Sequence, residues 1–60
     1  SLLGELAEIL GALRERLRHL GSESMRKTIY QEILEMGLKT GEVPSSEKID
    51  EIILQNMRKG

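Results

Sequence analysis

Sixty residues with no cysteine and one histidine allow one small domain, and exclude a disulfide framework, a thiolate zinc site and a multi-histidine metal site. A chain this short buries only about 60% of the surface its unfolded form exposes, so oligomerisation or packing on a partner is the remaining source of added stability. A formal net charge of −1 supplies no global field toward nucleic acid, and no apolar run approaches the ~18 residues of a membrane span.

The apolar residues are almost all Leu, Ile and Met, Tyr30 is the only aromatic ring, and 32% of the chain is charged. That composition suits helices and is poor for sheets, which favour Val, Thr and aromatics. The expected fold class is therefore all-α. The N-terminus does not read as a secretory signal, because its positive charges follow the apolar stretch rather than precede it. The lack of cysteine is compatible with the cytosol, and a cytoplasmic setting is the expectation. The opening on Ser1 rather than Met leads us to expect one association or docking domain over residues 1–60, cut from a longer protein.

Residues 2–20 read as the first helix. Leu3, Leu6, Leu10, Leu13, Leu17 and Leu20 are spaced 3, 4, 3, 4, 3, the a and d positions of nearly three heptads. Leu2 and Ile9 widen the apolar stripe, and Gly21 supplies a C-terminal stop. Ser22-Glu23-Ser24 offers N-cap side chains for a second helix over 23–38. This helix carries two apolar rows, Met25-Ile29-Ile33-Met36 and Tyr30-Leu34-Leu38. Such wide apolar coverage predicts that it is the most buried of the helices, and Gly37 weakens its last turn. Thr40-Gly41-Glu42-Val43-Pro44 is the one clear loop. Ser45 or Ser46 then caps a third helix over 45–58, with Glu47 in its first turn and Arg58 and Lys59 suited to its end. Ile49, Ile52, Ile53 and Met57 lie on one face of this helix, and Leu54 lies off it.

Three short helices offer more apolar surface than they can cover among themselves. A monomer would leave part of the leucine row or the Tyr30 row in water. Each exposed Leu forfeits roughly 1.5–3 kcal/mol of burial. The expectation is thus an oligomeric helical bundle, a symmetric homodimer first, with a tetramer as the other candidate because Leu at both a and d specifies oligomer number poorly. The residues expected to self-associate are Leu3, Leu6, Leu10, Leu13, Leu17, Leu20, Ile29 and Ile33. Ile49, Ile52, Ile53 and Met57 are expected either to close the bundle or to dock a helix of another protein. Gly4, Ala7 and Gly11 cluster on another edge of the first helix. Interior glycines cost about 1 kcal/mol each relative to Ala, which close approach of another backbone would offset.

Few residues suggest chemistry. Glu15, His19 and Glu23 are spaced i, i+4, i+8, but Gly21 interrupts the helix that would align them, and His19 suits a helix C-terminus. Arg14, Arg16, Arg18, Arg26 and Lys27 make the corner between the first two helices basic, with Glu15 and Glu23 interspersed and no aromatic for base stacking. This reads as a solvated, ion-paired face. Tyr30 reads as a core ring with its hydroxyl at the rim, and the methionines read as core filler. No nucleophile–base pair, phosphate loop or ligand set is present, so neither enzymatic activity nor a cofactor is expected.

The stretch Lys39-Thr40-Gly41-Glu42-Val43-Pro44-Ser45-Ser46-Glu47-Lys48-Ile49-Asp50 resembles two things: the helix–loop–helix near the end of flagellar anti-sigma factors, and the loop that opens winged-helix DNA-binding domains. Each resemblance covers a quarter to a half of the chain and rests on loop-and-cap residues, so neither family is assigned. The architecture of two dimerising helices followed by a loop and a third helix is similar to docking domains that join subunits of assembly-line synthases. The sequence therefore supports a non-catalytic homodimerisation or subunit-docking module. The alternative is a small DNA-binding or anti-sigma-like regulator.

Overall fold

Each helix begins at a serine that satisfies one of its orphan amides. In the computed structural model, which describes residues 1–59, Ser1 Oγ accepts from the Gly4 amide and Ser22 Oγ from the Met25 amide, both at 3.1 Å. Ser45 Oγ accepts from the Lys48 amide at 3.2 Å. The helices that follow are α1 (Leu2–Arg16), α2 (Glu23–Thr40) and α3 (Ser46–Lys59). The fold is all-helical, as the composition and spacing predict, with no strand among the described residues.

Two boundaries differ by more than one residue from the expected ones. Helix α1 ends at Arg16, four residues short of position 20. Leu17 caps it, the Leu20 amide donates to the Leu17 carbonyl at 2.9 Å, and Gly21 turns the chain with φ +62°. The tightened turn swings Leu17 and Leu20 inward, so both keep the heptad spacing after the chain has left the helix. Arg26 holds the corner by donating to the Leu20 and Gly21 carbonyls at 3.0 and 2.9 Å. Helix α2 runs to Thr40 rather than 38 and stops at Gly41 in the left-handed region, whose amide donates to the Gly37 carbonyl. The expectation that Gly37 weakens the last turn misses its packing. Gly37 is buried, and a Cβ there would lie 2.6 Å from Leu6 Cδ2. The missing side chain is what lets α1 close on α2.

The helices α1 and α2 form an antiparallel hairpin. Leu6 meets Gly37, Leu10 and Leu34 line one groove, and Arg14 lies over the Tyr30 ring at 5.6 Å. Helix α3 covers one flank of this hairpin. Ile49 and Asp50 border Ile9, Ala12, Leu13 and Arg16 of α1, and Ile52 borders Glu32, Met36 and Thr40 of α2. The shared core holds Leu13, Leu17, Ile29, Ile33, Ile49, Ile52 and Ile53. Ile29 and Ile33 are fully buried, which makes α2 the central helix. One polar side chain enters this core: Asn56, 5% exposed. Its Nδ2 donates to the Ile52 carbonyl at 2.9 Å and lies 3.4 Å from each carboxylate oxygen of Glu32.

Candidate association surface

The fold consumes much of the apolar row that the sequence offers for association. Leu6, Leu13, Leu17, Ile29 and Ile33 are buried within the chain itself, and Leu20 packs half-buried against the same core. Ile49, Ile52 and Ile53 are likewise core residues, at 7%, 5% and 8% exposure. Helix α3 thus closes the bundle. Of its expected docking face only Met57, 46% exposed, stays at the surface, and Leu54 stands exposed on the opposite side of α3.

A second apolar surface remains on the hairpin flank that α3 does not cover. Leu10, Tyr30 and Leu34 are half-buried there, lining a shallow groove with Arg14, Lys27 and Gln31. Leu3 lies seven residues before Leu10 and Leu38 four residues after Leu34, so each extends the same stripe by one or two turns. These two are the most exposed large apolar residues of the chain, at 62% and 53%. The row therefore runs Leu3, Leu10 along α1 and Leu38, Leu34, Tyr30 along α2. The tools for seeing it were present in the sequence, since Tyr30, Leu34 and Leu38 form a row distinct from the Ile29–Ile33 row. What the sequence could not show is which flank α3 would choose.

Gly4 and Gly11 of α1 meet no neighbouring helix. A Cβ at Gly11 would meet nothing within 4 Å, and one at Gly4 would meet only Ser1 Oγ at 3.1 Å. Gly37, in contrast, is filled by Leu6.

The cationic corner is largely engaged within the chain. Arg18 pairs with Glu15 and Lys27 with Glu23 at 3.5 Å, Arg16 with Asp50 at 4.0 Å, and Arg26 caps the turn. All of these pairs are exposed, where such contacts contribute little stability. Arg14 has no carboxylate partner among the described residues and rests on Tyr30. His19 is exposed in the turn after α1, so Glu15, His19 and Glu23 share no helix face. Among the described residues no helix is long and apolar enough to cross a membrane. No family model, curated protein or solved structure matches this chain.

Proposed function

We propose that this chain is a non-catalytic protein–protein interaction module, acting in the cytoplasm as a homodimerisation domain through the open flank of the α1–α2 hairpin. The observation that carries this reading is the apolar row Leu3, Leu10, Leu38, Leu34 and Tyr30, whose middle is only half-buried and whose ends, Leu3 and Leu38, are exposed.

This reading moves the association surface away from the buried leucines and onto residues the fold leaves uncovered. It is tested by Leu38→Glu and Leu3→Glu, which place charges on the patch at positions that contribute little to the core. Light scattering coupled to size exclusion should show each variant as a monomer at concentrations where the wild-type chain is dimeric, with unchanged helix content by circular dichroism. Variants that associate like the wild type would remove this flank from consideration.

A further inference from the structure

Charge is unevenly spread along this chain. Five of its nine cations but only two of its ten acids fall between positions 14 and 27, so this stretch is net positive in a chain that is net negative. It forms the turn end of the α1–α2 hairpin. There the open groove of Leu10, Leu34 and Tyr30 runs out between Arg14 and Lys27, with no carboxylate among its lining residues. The two acids of the stretch do not cancel its charge. Glu15 pairs with Arg18 and Glu23 with Lys27, in exposed contacts that hold little energy. Arg26 directs its guanidinium at backbone carbonyls, which carry no net charge. Arg14 has no carboxylate among the described residues and lies over the Tyr30 ring at 5.6 Å, at the mouth of the groove.

The covered flank of the same hairpin shows what kind of element fits such a groove. It takes α3, a 14-residue amphipathic helix whose isoleucines pack on α1 and α2. The open flank spans a comparable length, about 16 Å from Leu3 to Arg14 at 1.5 Å per residue. It offers a second copy no unpaired carboxylate for Arg14, since the acids at this end, Glu15 and Glu23, are the ones already paired. On these grounds we propose that the open flank also receives an acidic amphipathic helix of a different protein, which displaces the second copy. The aliphatic row of that helix, spaced i, i+3 or i+4 and i+7, lies along Leu10 and Leu34. Its carboxylates lie at the end beside Tyr30 and meet Arg14. Complementary charge of this kind sets the choice of partner more than the bulk affinity. The inference goes beyond the homodimer reading and does not require it; the two share only the flank.

The test uses the full chain and two fluorescently labelled helical peptides of about four turns. Both carry the same leucine row, and they differ in bearing Glu or Lys beside it. By fluorescence anisotropy the Glu peptide should bind roughly 10-fold tighter than the Lys peptide, with a preference that shrinks between about 0.05 and about 0.5 M salt. Arg14→Glu should abolish the preference. Lys48→Glu, the same change of charge at an exposed position of α3, should leave it intact. Equal binding of the two peptides, no binding of the Glu peptide, or equal loss in both variants would overturn the proposal. So would tighter binding of a short DNA duplex, which would make the corner a phosphate surface. A chain that dimerises but ignores the Glu peptide removes this inference alone. A monomeric chain that binds the Glu peptide removes the homodimer and leaves this inference standing.

Discussion

Gly37 and Gly11 show how one residue type carries opposite meanings on the two sides of this hairpin. A methyl group at Gly37 would press on the branched end of Leu6, which is fully buried, so Leu6 must shift within the core. Overpacking of this kind costs about 1–3 kcal/mol, against which Ala returns at most about 1 kcal/mol of helix propensity. Gly37→Ala is therefore expected to lower stability by up to about 2 kcal/mol, and Gly11→Ala, with open space around its Cβ, to raise it by about 0.5–1 kcal/mol. Urea unfolding of both variants in dilute solution checks the pair of signs. In the sequence Gly37 reads as a position that weakens its helix and Gly11 as one that invites close approach, whereas within the chain the close contact is at Gly37 and the open space at Gly11. The distinction depends on which residue of α1 lies opposite, and no spacing within α2 encodes that.

At the level of the elements, most of the fold was legible. The three helices, their serine caps and the Gly-Pro loop follow from periodicity and capping chemistry. The end of α1 was not legible, because Leu17 and Leu20 continue the heptad rhythm through a turn that has ceased to be helical. Asn56 was also hidden. It falls between Ile52, Ile53 and Met57 on the core face of α3, yet polar residues at one position of a short helix carry no mark of burial. Its hydrogen bond to the Ile52 carbonyl lies within α3, and its contact to the Glu32 carboxylate joins α3 to α2. Asn56→Asp would set a buried carboxylate beside the Glu32 carboxylate. Desolvation and like charge both raise the pKa of the new acid in the folded state above its unfolded value. The variant should then be near full stability at pH about 4 and lose about 1–3 kcal/mol as pH rises from there to about 6. Thermal melts of variant and wild type across that range would show the opposite trend, or none, if the side chain were solvated.

On the scale of the whole molecule, the leucine heptad divides its labour between two surfaces. Leu13 and Leu17 build the core with α2 and α3, Leu6 packs on Gly37 of α2, and Leu3 and Leu10 stay on the far side. The sequence shows a surplus of apolar surface, but dividing it requires knowing which flank of the hairpin α3 covers. The core itself is small. A 60-residue domain has roughly 3–9 kcal/mol of net stability, so Ile33→Ala, at about 2–5 kcal/mol, should leave a large unfolded fraction in dilute solution, visible as lost ellipticity. Higher protein concentration should partly restore the fold, because association draws on the native state alone. Sedimentation equilibrium of the wild-type chain from about 10 μM to about 1 mM measures that association directly. The average mass should climb from that of one chain, 6.8 kDa, toward twice that value along a single monomer–dimer isotherm. A mass that stays at one chain across the whole range would mean that the open flank of the hairpin is not a surface for a second copy.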